Sequence, residues 1–450
     1  MESIKKRQRM SVPLLRLKKV AEPQKTSMVE AQQPSSSKKV NRVKKWQCPD
    51  SDFEIVQLLD TEITKYTTLP ISTVSFFDCD ESYLPFAKAW VTARVAQIAK
   101  ANPWLAGRLV HQTGTDRLAL AVPRLLSKKD LDRLFIKNPE NIYLTRCMSA
   151  KQLSEQYAKI ELPYKSAAYD KEDAFVCRFV FTRTPGGFCI VFSMSQMAGD
   201  ANTFYNIMNQ LSVKEDVRAL KPKRKMDSSQ NAKTTMDGES GMRFGSLTGM
   251  SFLGTAFKGK SAPKNTRVFT GLIDERKIAE IKADAPSTST KLAISTNDVI
   301  TSAFCNATGA RTCLMACNLR ERTRGLTDSH AGNYTNVITY NASNVATANR
   351  IHLASMHCDD KPLQKASHSQ YCAITNWASF SKPIHIPGCA EHLHQPLLNL
   401  KLAADLPFDF MIVFRAGGQG LGAHWLTPRR GSERYVFGNF FWSWIEATLF

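Results

Sequence analysis

Apolar and polar residues change their spacing several times along the chain, and each change marks an element. From Thr73 to Asp78 they alternate as in a short strand. From Pro85 to Ala101 the spacing is helical, with Trp90, Val91, Val95 and Ile98 on one face. Asn102-Pro103-Trp104-Leu105-Ala106-Gly107-Arg108-Leu109 then breaks the helix ahead of a strand, because Pro and Gly punctuate regular structure. Arg117 to Pro123 is a further strand. Ala174 to Arg183 and Phe188 to Met194 read as two strands joined by Thr184-Pro185-Gly186-Gly187. Proline presets one backbone angle there and glycine frees the next, as a hairpin turn requires. The second strand runs into Gln196, and a helix from Asn202 to Leu211 follows.

Residues 214–265 lose this regularity. Lys221-Pro222-Lys223-Arg224-Lys225 precedes a mixture of Ser, Gly, Thr and Lys, which predicts a partly mobile crossover linker with a solvated basic pentad. Order resumes with a strand from Arg267 to Leu272 and a helix from Glu275 to Ala283. Ser295-Thr296-Asn297-Asp298 offers good capping side chains to an apolar helix, Val299 to Ala307. Phe408 to Arg415 and Leu421 to Leu426 form a hairpin around Gly417-Gly418-Gln419-Gly420. Gly418 to Ala423 formally fits a dinucleotide-binding glycine pattern, but His424-Trp425-Leu426-Thr427-Pro428 cannot open the helix such a site needs. Irregular alternation of strands and helices with several hairpins predicts an α/β (α+β) fold rich in antiparallel pairing.

The net charge of +20 changes this picture less than its size suggests. Residues 1–46 hold thirteen Lys or Arg against three Glu, half of that surplus, in a Gln-, Ser- and Pro-rich segment that reads as a disordered basic tail. Lys5-Lys6-Arg7-Gln8-Arg9 would suit nuclear import or an anionic surface, but solvated tail charge is the commoner outcome, and no nucleic-acid contact is expected apart from this tail. No apolar run reaches the length of a membrane span, and the N-terminus lacks a secretory core, so a soluble, cytoplasmic monomer is expected. Eleven cysteines show no disulfide framework. Cys313 and Cys317 lie four apart, as on a helix face, and read as buried thiols. His392 and His394 with Glu391 do not share a helix face and read as an exposed loop, so no metal site is expected.

Ser193-Met194-Ser195-Gln196-Met197-Ala198-Gly199-Asp200 resembles the His-x-x-x-Asp region of the CoA-dependent acyltransferase superfamily, which includes the BAHD and chloramphenicol acetyltransferase-like enzymes. Five further segments follow in the same order. Residues 102–109 resemble the family's Pro-Leu-Ala-Gly-Arg-Leu, and Arg267 to Ala283 the strand and helix that open its second domain. Ser295-Thr296-Asn297-Asp298-Val299 is similar to its Ser-x-Asn-Asp helix start. Asn318-Leu319-Arg320-Glu321-Arg322 with Gly332-Asn333 resembles its Arg-x-Arg and Gly-Asn pair, and Thr375-Asn376-Trp377 its Thr-Ser-Trp. The resemblance implies two similarly built domains, 47–213 and 266–450, with mixed sheets and a channel between them. It implies acyl-CoA as cosubstrate and a small-molecule acceptor, with no other cofactor. Asp200 is implied to pair with Arg320, supported by Asn333; the residues alone leave open that Asp200 or Asn202 simply caps the next helix. Thr375 is implied to hydrogen-bond the oxyanion, and Trp377 and Asn297 to line the channel, although Trp377 by itself reads equally well as an aromatic core residue.

The departures bear on catalysis. Gln196 stands where the family has its histidine base, and a glutamine amide has no basic lone pair near neutral pH. None of the nine histidines is followed four residues later by Asp. Ala201 replaces the glycine that often follows the aspartate, and Lys382-Pro383-Ile384-His385-Ile386-Pro387-Gly388 takes the place of the late Asp-Phe-Gly-Trp-Gly motif. Two readings follow. One is an acyl-CoA-dependent O- or N-acyltransferase with a degenerate motif, in which Gln196 orients the acceptor or one of His385, His392, His394 and His424 serves as base. The other is a catalytically inactive relative that binds an acyl-CoA, a metabolite or a protein partner.

Overall fold

Two stretches, Pro70–Asp78 and Gly187–Ser195, lie side by side inside a sheet and are buried along nearly their whole length, Ser72, Thr73 and Ser75 of the first included. A strand covered on both faces has no reason to alternate. The structure, a computed structural model, describes residues 51–63, 70–112, 117–162, 175–227, 266–284, 294–356, 371–399, 406, 408–428 and 441–447. The basic tail and most of the expected linker fall outside them. All described residues belong to one compact unit, 45–450.

In the first half, β1 (Phe53–Gln57) and β2 (Pro70–Asp78) precede helix α1 (Leu84–Ala101), which accepts Pro85 in its first turn where no intrahelical N–H is needed. Strands β3 (Arg108–His111) and β4 (Leu118–Pro123) follow, then α2 (Lys128–Leu134), β5 (Phe135–Lys137) and α3 (Ala150–Tyr157). Hairpin β6 (Cys177–Thr184) and β7 (Gly187–Ser195) leads into α4 (Ala201–Met208). In the second half come β8 (Arg267–Ile273), α5 (Glu275–Ala283), α6 (Thr296–Thr308), β9 (Thr312–Asn318) and β10 (Thr335–Asn341). Then follow α7 (Ala342–Val345), α8 (Ala348–Met356), β11 (Tyr371–Asn376), β12 (Ala390–Pro396), β13 (Asp409–Arg415), β14 (Leu421–Thr427) and β15 (Phe441–Ala447). The predicted cap of α6 forms as a capping box, Ser295 accepting from the Asp298 backbone and Asp298 accepting from the Ser295 backbone.

The described strands make three sheets. A small antiparallel one runs β1-β4-β3. The five-stranded sheet runs β12-β2-β7-β6-β5, antiparallel except for β5 with β6. The seven-stranded sheet runs β10-β9-β11-β13-β14-β8-β15, with β11 parallel to both neighbours. Leu84, Ala87, Val91, Val95 and Ile98 of α1 pack with Phe179, Ile190, Phe192 and Phe204 into the first core. On the seven-stranded sheet, Val299, Ile300, Phe304 and Cys305 of α6 cover one face, meeting Cys313, Met315, Cys372 and Ile374. The opposite face, bearing Leu314, Ala316, Ala373 and Thr375, looks into a cavity.

Three expectations change. Strand β12 comes from the second half of the chain yet completes the five-stranded sheet by pairing with β2. His392 and His394 therefore lie on a strand and not on an exposed loop. A bulge between Glu391 and Leu393 breaks the alternation, so His392 stays accessible beside Asp78 while His394 is buried against Ser75 and Tyr205. Residues 214–227 of the expected linker pack onto the body, and Arg224 of the pentad is fully buried. Its charge is not solvated, because a carboxylate and four carbonyls take the place of water. Cys313 and Cys317 sit on a strand, β9, where a spacing of four also puts both on one face.

Candidate active site

The site is built on the turn between β7 and α4. Ala198 and Gly199 both donate backbone N–H to the Ser195 carbonyl, which closes the turn and leaves Gln196 at its tip. Gly199 is required by space: a Cβ there would come within 2.5 Å of the Thr203 side chain. The Gln196 amide is partly exposed, faces the cavity, and makes no hydrogen bond to a described residue.

Asp200 fulfils both readings that its sequence left open. Oδ1 accepts from the Thr203 backbone at 2.9 Å and caps α4. Oδ2 accepts from Arg320 at 2.7 Å and from the Tyr334 backbone at 2.9 Å. Arg320 is buried and uses its whole fork: Thr203 Oγ1, the Gly332 and His330 carbonyls and Asn318 Oδ1 take the remaining N–H groups. The pair joins β7–α4 to the loop between β9 and β10, and its charges are spent on each other.

A second buried pair, invisible in the sequence, holds the same turn from the other side. Arg224 Nε lies 3.0 and 2.9 Å from the two oxygens of Glu62, and neither side chain is exposed. The rest of its guanidinium donates to the carbonyls of Met197 and Ala198 in the turn and to those of Pro222 and Ala331. Glu62 also accepts from the Asn333 backbone at 2.6 Å and the Leu59 backbone at 2.9 Å. Burial raises the Glu62 carboxyl above its ordinary range, against the pull of Arg224 and of those two N–H groups. Gly332 sits between the two arginines with φ +144°, and a Cβ there would meet Arg224 Nε at 3.0 Å.

These supports frame a cavity of about 210 Å³. Gln196, Asn333, Thr335, Thr375 and Trp377 supply its polar groups, and Ile71, Leu314, Val337, Ala373 and Phe410 most of its apolar wall. Among the described residues, the only carboxylate on the wall is that of Asp200, already held by Arg320. Trp377 Nε1 donates to Thr375 Oγ1 at 3.0 Å, which occupies a lone pair of that oxygen and leaves its O–H to donate elsewhere. Of the residues expected at the site, Gln196, Asp200, Asn333, Thr375 and Trp377 come together around this cavity. Asn297 does not line it: its amide donates to Met315 Sδ and accepts from Asn376, on the helix-covered face.

None of the candidate substitute bases lines the cavity either. His394 bridges Ser75 Oγ at 2.7 Å and the Tyr205 hydroxyl at 3.0 Å. His424 bridges Thr270 Oγ1 and the Pro396 carbonyl. Burial pulls both imidazoles down to about 4, so they stay neutral core groups. The His385 backbone is pinned to Ser212, and His392 faces Asp78. No described helix is long and apolar enough to cross a membrane.

No model of a known protein family matches the chain, and no curated protein matches its sequence. Solved structures do match its fold. TRI101 from F. graminearum, crystallised with coenzyme A and deoxynivalenol, superposes with a TM-score of 0.54 at 14% identity, over 85% of this chain and 96% of that one. The first condensation domain of the calcium-dependent antibiotic synthetase, in complex with a substrate analogue, gives 0.55 at 11%, over 85% and 95%. Polyketide synthase associated protein 5 from Mycobacterium tuberculosis gives 0.50 at 10%, over 87% and 97%. The chain therefore has the two-part α/β fold of the CoA-dependent acyltransferases, as its motifs led one to expect.

Proposed function

We propose that the protein transfers an acyl group from acyl-CoA to a small, largely apolar acceptor without a protein base at position 196. One observation carries this reading: Gln196 and Thr375, from different halves of the chain, face the same cavity. Thr375, with its lone pair held by Trp377, is set to donate to the oxyanion of a tetrahedral intermediate. Gln196, which makes no hydrogen bond to a described residue, orients the acceptor by accepting from its nucleophilic hydroxyl, amine or thiol. Asp200, Arg320 and Asn333 hold the turn and do not exchange protons with substrate. The coenzyme A complexes of TRI101 support acyl-CoA as the donor for this chain.

A positioned base typically contributes about a hundred- to ten-thousand-fold, and an oxyanion donor about a hundred- to a thousand-fold. An enzyme keeping only the second turns over slowly, and fastest with acceptors that lose a proton easily. The same absence of a histidine in the cavity wall favours a second reading, a catalytically inactive protein that binds an acyl-CoA, a metabolite or a partner. An acyl-CoA turnover screen of the native chain, Gln196→His and Thr375→Ala separates them. Native turnover that falls about a hundredfold or more in Thr375→Ala supports slow catalysis. Turnover seen only in Gln196→His supports the binding protein. Native turnover indifferent to Thr375→Ala overturns the assignment of that hydroxyl.

A further inference from the structure

Behind the cavity wall, on the helix-covered face of the seven-stranded sheet, three thiols converge. Cys313 on β9 and Cys372 on β11 are direct partners on neighbouring parallel strands, and Cys305 of α6 lies over them. All three are buried, and their sulfur atoms lie within 4.8 Å of one another, with Cys305 and Cys372 at 3.5 Å. A thiolate–metal bond is about 2.3 Å long, so three sulfurs sharing one ion stand roughly 4 Å apart. The cluster is already near that arrangement.

The surroundings decide which ion. Ile300, Phe304, Ile374 and Tyr340 belong to the same apolar cluster. The three thiols are buried among these side chains, Cys313 and Cys372 completely and Cys305 nearly so. Such a pocket rejects net charge. Three thiolates leave copper(I) with a charge of −2 and zinc(II) with −1, whereas a trivalent ion gives a neutral complex. We propose that Cys305, Cys313 and Cys372 form a binding site for a trivalent thiophilic metalloid, arsenic(III) in particular.

Arsenous acid, uncharged near neutral pH, is the form that enters. Three S–H and three As–O bonds break, three As–S bonds form, and each departing hydroxide leaves with a thiol proton as water. No electron is transferred. Access requires α6 to lift locally from the sheet, so uptake is slow and loss slower. Occupancy ties α6 to β9 and β11, whose other face carries Leu314, Ala316, Ala373 and Thr375, and so stiffens the cavity wall from behind.

The test uses the full-length, reduced protein incubated with arsenite, desalted and analysed for arsenic content and by arsenic X-ray absorption. One arsenic per chain with three sulfur neighbours is expected, together with a raised melting temperature. Cys313→Ala and Cys372→Ala should each lose arsenic on desalting, while Cys147→Ala, at an exposed thiol, should keep it. Arsenic held by two sulfurs, or retained equally after Cys372→Ala, overturns the site. Zinc surviving the same desalting, and lost in Cys372→Ala, overturns the charge argument. Where an alanine variant fails to fold, the sulfur coordination number in the native chain decides alone.

Discussion

Replacing Arg224 by Met removes one member of a pair in which neither side chain touches solvent. Glu62 then loses its guanidinium partner while the backbone N–H groups of Leu59 and Asn333 stay in place, and four carbonyls lose a donor. Stranding a buried charge costs about 3–5 kcal/mol, a large share of the roughly 5–15 kcal/mol that holds a typical protein folded. Glu62 has an escape that Arg224 lacks, since it can take up a proton. Its folded pKa, raised by burial even with Arg224 present, climbs further in the variant. A carboxyl raised in the folded state contributes fully below its unfolded value near 4.5 and loses that contribution as pH rises through the folded value. The gap between native and Arg224→Met therefore opens with rising pH only between the two folded values, by at most about 1.4 kcal/mol per unit, and shrinks in acid to the lost hydrogen bonds. Heat is a poor probe: at about 2.1 cal/mol/K per residue over roughly 400 residues, 1 kcal/mol moves the melting point by only about 1 °C. Urea titration by tryptophan fluorescence from pH 5 to 8 is the better assay. In it, Glu62→Gln/Arg224→Met, which strands no charge, should be more stable at pH 8 than Arg224→Met. A gap independent of pH, or a double variant equal to the sum of the singles, would refute the coupling.

Two other outcomes follow from the geometry. Arg320→Lys keeps the charge but not the fork that serves Asp200, Thr203, Asn318, His330 and Gly332 together; a loss of about 2–4 kcal/mol in urea is expected at roughly 1 kcal/mol per lost bond, and a neutral result would show that the fork is dispensable. His394 and His424, lowered to about 4, favour the fold fully above 6.5 and progressively less as pH falls to 4. Glu391, raised to about 7, works the other way between 4.5 and 7. These three leave a net slope of one proton, about 1.4 kcal/mol per unit between pH 4.5 and 6.5, which His394→Gln should flatten; an unchanged slope would place the titration elsewhere.

What the sequence revealed was what is locally encoded. Ser295 and Asp298 announce the start of α6 because a cap is settled within four residues. Thr184 to Gly187 announces the β6–β7 hairpin for the same reason. Asp200 and Arg320, 120 residues apart, were legible only because both lie in segments that resemble one family. Glu62 and Arg224, 162 residues apart, had no such help, and the lysines flanking Arg224 disguised a buried cation as a solvated run. Strand β9, Thr312-Cys313-Leu314-Met315-Ala316-Cys317-Asn318, was missed because helices cover one face and the cavity the other, which erases alternation. The bulge that separates His392 from His394 is a property of register with β2, not of either residue.

The strand that crosses between the halves also sets a clock on synthesis. Ser75 on β2 and its partner His394 on β12 are 319 residues apart. At about 5–20 residues per second, a ribosome needs roughly 15–60 s to make the second after the first. Throughout that interval β2 is an open edge, with hydrogen-bonding groups that any other extended chain can pair. The nascent protein thus depends on whatever shields that edge until its own distant strand arrives.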